Sequence, residues 1–466
     1  MIQFQNVSVT IQGNKILDNI NLTVNDGEFV LLCGESGCGK TTLTRLVNGL
    51  IPHFVKDVKV DGTVTVEDMK ISDSPMYKIA ESVGSVFQNP KIQFFNTDSS
   101  AEIAFGLENI GADRDSMHKR VAKTISDLEI ETLADRSVFS LSGGEKQLLA
   151  FASVYAMNPQ VYVLDEPSAN LDHEAMEKLR KILETVKKEG HTVLIAEHRL
   201  SYLYGLADRI VYLKAGCIER VFTAAEFVGL SESERIAMGL RSICSEKISI
   251  PERTFMQPDP SLAVCHLSVK RKKQPVLHDL SLSANDGDII GIVGKNGSVK
   301  STLCSTLCGL LPTAHGEVLF RGRKLSRSAR TRQFGMVMQD VNHQLFSDSV
   351  KNECLSSNPN ATDQEIENLL SSFDLLDCID RHPLTLSGGQ RQRLAICQAI
   401  MGKKKFLIFD EPTSGLDFRH TCQVTEWLKQ LAQHGYILFV VTHDYEFLNR
   451  ACNCYVRIDK INCPEK

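Results

Sequence analysis

Glu28-Phe29-Val30-Leu31-Leu32-Cys33-Gly34-Glu35-Ser36-Gly37-Cys38-Gly39-Lys40-Thr41 runs from a short apolar strand straight into the pattern G-x-x-x-x-G-K-T, with a helix expected to start near Thr41. Glycines let successive backbone N–H groups curl round a phosphate, and the start of a helix adds positive dipole there. In this reading Gly34, Gly37 and Gly39 shape the loop, Lys40 reaches the β- and γ-phosphates of a nucleoside triphosphate, and Thr41 ligates Mg²⁺. A strand, a phosphate loop and a helix in that order point to an α/β fold.

Working outward, the same landmarks recur. Gly294-Lys295-Asn296-Gly297-Ser298-Val299-Lys300-Ser301 keeps Gly294, Gly297, Lys300 and Ser301 but places Val299 where the pattern has glycine. A β-branched side chain at that point is expected to crowd the phosphates or force the loop open, so the second site should bind nucleotide weakly or hydrolyse it poorly. Leu141-Ser142-Gly143-Gly144-Glu145 recurs 245 residues later as Leu386-Ser387-Gly388-Gly389-Gln390, Asp165-Glu166-Pro167 as Asp410-Glu411-Pro412, and His198 as His443. Self-similarity at a near-fixed offset means two homologous modules.

We place these at 1–225 and 259–466, with 226–258 as a connector. In the connector Glu232 to Arg241 reads as a short amphipathic helix, and Pro251, Pro258 and Pro260 favour extended chain. Within each module continuous apolar runs, such as Val161 to Leu164, Thr192 to Ile195 and Ile437 to Val441, alternate with helical stretches such as Glu174 to Lys188. That alternation predicts a mainly parallel sheet covered on both faces.

The Asp-Glu pairs close apolar strands. A carboxylate at a strand's C-terminal edge beside a phosphate loop suits the Mg²⁺ shell, which assigns Asp165 and Asp410 to metal and leaves Glu166 and Glu411 to polarise the attacking water. His198 and His443 follow the next apolar strand, where an imidazole can bond the γ-phosphate and position water.

A phosphate loop, a Gln after an apolar strand (Gln88, Gln339), Leu-Ser-Gly-Gly, Asp-Glu-Pro, Leu-Asp and a His, all present twice, resemble the ATP-binding cassette ATPases over nearly the whole chain. The resemblance implies two tandem cassettes, each with a mainly parallel core sheet, an antiparallel β subdomain and a helical signature subdomain, pairing head to tail. It implies ATP hydrolysis with Mg²⁺. Site one would join Lys40, Thr41, Thr42, Gln88, Asp165, Glu166 and His198 to Ser387, Gly388 and Gly389. Site two would join Lys300, Ser301, Thr302, Gln339, Asp410, Glu411 and His443 to Ser142, Gly143 and Gly144. Gln88 and Gln339 would share in holding Mg²⁺ with Thr41 and Ser301. Val299 and the Glu145 ending then predict hydrolysis dominated by site one. Where cassettes usually stack an aromatic ring on adenine, this sequence has Ile11 and Arg271, an apolar surface and a guanidinium.

The stretches Asn89 to Phe95, Glu102 to Asn109, Gln339 to Phe346 and Ile195 to Leu200 are similar to the energy-coupling factor ATPases of micronutrient importers. By that resemblance the chain drives uptake of a vitamin or transition metal ion from the cytoplasmic face of the membrane, through separate scaffold and substrate-binding membrane subunits. These would dock near Phe94, Phe95, Leu345 and Phe346. The alternatives are the fused ATPase of a sugar importer, and a soluble tandem-cassette protein acting on ribosomes or DNA.

Composition agrees with this class. Hydrophobic residues make up 42% and charged residues 23%, an ordinary globular balance, and the formal net charge of −5 gives no global positive field for nucleic acid. No run approaches the ~20 apolar residues of a spanning helix, and Met1-Ile2-Gln3-Phe4 does not resemble a signal peptide. The 14 cysteines are scattered, which suits reduced core thiols. Cys452, Cys454 and Cys463 form a cluster without the paired spacing of a zinc site.

Overall fold

The computed structural model describes residues 1–169, 171–244, 247–253, 257–271, 274–294 and 299–458, the side chains of Arg271 and Gln274 excepted. Two compact units emerge: Met1–Ser245 with Asp417–Arg419, and Glu246–Leu416 with His420–Lys466.

In the first unit an antiparallel sheet is built from the hairpin Ile2–Ile11 and Asn14–Val24, with Val58–Val66 on the other side of Ile2–Ile11 and Met69–Lys70 at the edge. Alternating burial along Ile2–Ile11 puts Ile2, Phe4, Val7 and Val9 on one inner face. The core sheet has six strands in the order Cys217–Thr223, Arg209–Lys214, Phe29–Gly34, Thr192–Ala196, Val161–Asp165, Val83–Val86. All neighbours run parallel except the edge hairpin Arg209–Lys214 and Cys217–Thr223. Phe29–Gly34, Val161–Asp165 and Thr192–Ala196 are apolar nearly throughout because both faces of the sheet are covered.

The second unit repeats this plan. Its antiparallel sheet orders Gln274–Ala284, Leu262–Arg271, His315–Phe320, Arg323–Lys324, and its core sheet orders Phe334–Val337, Phe406–Asp410, Ile437–Val441, Ile289–Val293, Cys454–Arg457, all parallel. The strand that feeds the phosphate loop therefore lies in both sheets next to the strand that leads to His198 or His443. Ligands of open α/β sheets bind at the carboxyl ends of such strands.

Helices Ser99–Asn109, Arg114–Asp127 and Gly143–Met157 form a helical subdomain in the first unit, and Val350–Ser357, Asp363–Ser372 and Gly388–Met401 in the second. Their starts are written in the sequence: Asp98, Asp113, Ser349 and Thr362 each accept backbone N–H groups at the N-cap. Helix His173–Lys188 buries Leu179, Ile182, Leu183 and Val186 at a spacing of three and four, and carries Lys187 and Lys188 in its last turn.

The segment read as a connector divides between the units. Helix Glu232–Ala237 opens with a Ser231/Glu234 capping box and stops short of the expected Arg241, because Gly239 turns the chain at φ +66° and Arg235 donates to Leu240 O at 2.8 Å. Leu240 and Ile243 join the first unit's core. Downstream, Tyr455 N donates to Pro251 O and Arg253 N to Tyr455 O, while the Arg253 guanidinium pairs with Asp288 at 2.6 Å. Pro251 to Arg253 thus runs alongside the edge strand of the second core sheet and is pinned to it. Among the described residues no helix is long and apolar enough to cross a membrane. Cys33, Cys397, Cys452 and Cys454 are buried, Cys463 lies outside the described residues, and no group of three His, Cys, Asp or Glu side chains is placed to hold a metal among those described.

Candidate functional site

Strand Phe29–Gly34 delivers the loop and helix Lys40–Val47 leaves it. Gly34, Gly37 and Gly39 adopt φ of +143°, +80° and +105°, conformations that only glycine enters freely. A Cβ on Gly34 would come within 2.2 Å of Leu213 O, whereas one on Gly37 would meet nothing within 4 Å. Gly37 is therefore required by its backbone turn, on a side open to a ligand. Lys40 is 4% exposed and donates to Gly34 O and Glu35 O, both at 2.9 Å. A buried ammonium held by two neutral carbonyls and, at 3.8 Å, by the Cys38 sulfur, with no carboxylate in ion-pair range among the described residues, fits a polyanion.

Across the loop stand the two acids. Thr41 Oγ1 donates to Asp165 Oδ1 at 3.0 Å. Glu166 accepts from Gln88 Nε2 at 2.7 Å and lies 3.2 Å from His198 Nε2. Five predicted side chains of site one thus form a pair, Thr41 with Asp165, and a trio, Gln88 and His198 on Glu166, side by side at the carboxyl end of the core sheet. Burial, reinforced by the charge of Glu166, raises Asp165 to about 6. On Glu166 burial acts upward, but His198 and Lys40 beside it hold the carboxyl below the usual range. The donor set of a hydroxyl, a carboxylate that resists ionising without a cation, and an amide suits Mg²⁺, which takes one or two carboxylates and keeps phosphate oxygens and water. Glu166, kept anionic, is fitted to accept a proton from water or orient it.

In the second unit Ser301 Oγ donates to Asp410 Oδ2 at 3.3 Å, and burial raises Asp410 above the usual carboxylate range. The wiring of the remaining groups differs. Lys300 Nζ donates to Gly294 O at 2.6 Å and lies 2.9 Å from His443 Nε2, while His443 stands 3.6 Å from Glu411. Gln339 is exposed, and no bond between it and Glu411 corresponds to Gln88–Glu166 among the described residues. Val299 belongs to helix Val299–Leu307 and packs against the unit's apolar cluster, whereas Gly39 stands outside its helix as a left-handed N-cap. Gly297 lies outside the described residues, as does the side chain of Arg271. Ile11 ends its strand against Asn14 and packs on the antiparallel sheet's core.

Ser142 and Ser387 cap helices Gly143–Met157 and Gly388–Met401, each through a capping box with Glu145 or Gln390. Glu145 bonds Ser142 N at 2.7 Å and pairs with Arg136 at 2.7 Å, so the acidic ending of the first signature is a neutralised cap. A Cβ on Gly388 would meet nothing within 4 Å. The fold of its own unit does not demand glycine there.

The sequence profile described as ABC transporter matches residues 17–169 and 277–414. The chain belongs to the ABC transporter family. The relatives compared span 93% or more of this cassette protein. It is 44% identical to an ABC transporter ATP-binding protein of Treponema denticola, over all of this chain and 98% of the relative. It is 30% identical to a Bacillus subtilis protein named for HMP/thiamine import and ATP binding, over 93% of this chain and 85% of the relative. An archaeal ribosome recycling factor, solved with a ribosomal stalk protein, matches at a TM-score of 0.61 and 19% identity over 94% of this chain and 84% of that one, a likeness of fold alone. As an ABC ATPase with two cassettes, the protein binds and hydrolyses ATP.

Two features of the cassettes escape sequence reading. Glu166 and Glu411 both take left-handed backbone, at φ +46° and +50°, and each N–H reaches across to the neighbouring strand, to Ala196 O and Val441 O. The same left-handed turn recurs at the acid of both Asp-Glu pairs, yet no glycine or asparagine announces it. The second is Glu197, a buried acid beside His198. Of the four residues expected at a docking surface, Phe95 and Phe346 are 73% and 81% exposed, Phe94 packs partly against the core, and Leu345 is buried within it.

Proposed function

We propose that this cassette protein is the ATPase subunit of an importer of energy-coupling factor type, driving uptake of a vitamin or transition metal ion through separate membrane subunits from the cytoplasmic face of the membrane. Support comes first from the Bacillus subtilis relative, whose name specifies HMP/thiamine import. The observation that carries the reading is the paired presentation of Phe95 and Phe346. Each sits a few residues beyond the Gln of its cassette, and each backbone N–H is held by a buried acid: Glu102 accepts Phe95 N at 3.0 Å and Asn96 N at 2.7 Å, Glu353 accepts Phe346 N at 2.9 Å and Ser347 N at 2.8 Å. A rigidly held, solvent-facing aromatic at the same place in both cassettes suits an apolar partner on each. In the first cassette a cavity of about 420 Å³, lined by Arg45, Asn48, Phe54, Gln88 and Ile92 among others, adjoins this loop.

Within that reading Gly34, Gly37, Gly39, Lys40 and Thr42 cradle the triphosphate of ATP, Thr41, Gln88 and Asp165 hold Mg²⁺, Glu166 activates water and His198 bonds the γ-phosphate. Mg²⁺, when bound, neutralises charge on the phosphate oxygens. Ser387, Gly388 and Gly389 close on this nucleotide in the head-to-tail pairing proposed for the two cassettes. The second site uses Lys300, Ser301, Thr302, Gln339, Asp410, Glu411 and His443 with Ser142, Gly143 and Gly144, and turns over more slowly. Copurification from native membranes tests the assignment. A small membrane scaffold and a substrate-binding membrane protein are the expected companions, and recovery with ribosomes instead would contradict it.

A further inference from the structure

Glu197 immediately precedes His198 and is 2% exposed. Burying a carboxylate costs several kcal/mol unless hydrogen bonds replace its water, and here they come from two separate turns. Oε1 accepts the backbone N–H of His198 at 2.8 Å and of Arg199 at 3.1 Å; Oε2 accepts Tyr202 O–H at 2.9 Å and Ser168 N–H at 3.3 Å. Its own N–H donates to Leu32 O at 3.1 Å, on the strand that feeds the phosphate loop. Arg199 does not neutralise it, since that guanidinium turns away to Leu171 O at 3.0 Å. Burial and the neighbouring carboxylate push the Tyr202 phenol well up, which keeps it a donor. One side chain therefore ties the turn that carries His198 to the turn that follows Glu166.

The second cassette makes the same tie with other residues. Thr442, in the position of Glu197, donates to Glu411 Oε2 at 3.4 Å and accepts from Asp444 N at 3.1 Å, while Asp444, in the position of Arg199, accepts from Thr413 Oγ1 at 3.4 Å. Thr413 is the counterpart of Ser168. The link recurs although its chemistry has changed, which separates the link from the accident of one buried acid.

We infer that Glu197 is a positioning residue for ATP hydrolysis at the first site: it fixes the backbone of His198 against the Asp-Glu-Pro turn and so sets the His198–Glu166 separation. This rests on His198 and Glu166 acting at that site. The test measures ATPase kcat and KM of the full chain carrying Glu197→Ala, Glu197→Gln or Tyr202→Phe. Glutamine can still accept from His198 and Arg199 through its oxygen, but it turns an N–H₂ toward the Ser168 donor. Expected are a kcat loss of about ten- to a hundredfold for alanine with KM within about threefold, partial rescue by glutamine, and a loss of a few-fold for Tyr202→Phe. A rise in KM at unchanged kcat would overturn the inference. So would full kcat in both Glu197→Gln and Tyr202→Phe, which carry the test if the alanine variant does not fold. His198→Ala with turnover intact would remove the reading of the site itself, whereas a crippled His198→Ala beside a fully active Glu197→Gln would overturn this inference alone.

Discussion

Asp165 is the residue at which the site's electrostatics are most exposed to measurement. Its folded value of about 6, above the ordinary carboxylate range, means that the folded state binds the extra proton between roughly pH 4 and 6. The sign follows: stability of the nucleotide-free protein falls as pH rises through that window, because the buried carboxylate must ionise beside Glu166. Asp165→Asn removes this cost while keeping an acceptor for Thr41 Oγ1. The variant should gain about 1 to 3 kcal/mol at pH 7 in denaturant unfolding and lose its Mg²⁺-dependent turnover. No gain in stability would mean that Asp165 is not burdened by its burial. Val299→Gly makes the complementary prediction in the second cassette: tighter nucleotide binding there by titration, with an unchanged affinity rejecting the crowding argument. The phosphate loops, the acids and the histidines were all legible as residue types repeated in the same order, the acids and histidines at one offset of 245 residues. The left-handed backbone of Glu166 and Glu411 was not, since it arises from cross-strand bonds to Ala196 and Val441 that no local pattern encodes. The hydrogen-bond ring of Glu197 was hidden likewise, as it joins Ser168 to residues some thirty positions on.

At the scale of elements, the signature helices separate folding from function. Gly388 begins helix Gly388–Met401, and a methyl group there meets nothing within 4 Å. Gly388→Ala should therefore leave the free protein as stable or raise it by about 0.5 to 1 kcal/mol, yet lower ATPase activity at least tenfold if phosphate oxygens approach that backbone. Full activity in a well-folded Gly388→Ala protein would show that the helix start does not meet nucleotide. The mainly parallel sheet was readable from continuous apolar runs separated by helices. Helix ends were less so: Glu232–Ala237 stops early because Gly239 and the Arg235 side chain terminate it together, and only the glycine is visible in sequence. The inward or outward sense of Leu345 and Phe346 was equally closed to reading, because a loop lacks the two- or 3.6-residue period that sorts faces in strands and helices.

At the scale of the whole molecule, two cassettes of one plan differ in their wiring. Gln88 and His198 both engage Glu166, while His443 lies nearer Lys300 than Glu411 and Thr442 takes up the acid's second oxygen. Docking and chemistry should also separate: Phe95→Asp with Phe346→Asp is expected to spare the ATPase activity of the isolated protein and abolish its recovery with membrane subunits, and retained recovery would place the docking surface elsewhere. The central claim is that hydrolysis belongs chiefly to the first cassette. Steady-state turnover of Glu166→Gln and of Glu411→Gln decides it. The account predicts a loss of about a hundredfold or more in the first and a far smaller loss in the second; intact turnover in Glu166→Gln with none in Glu411→Gln would contradict it.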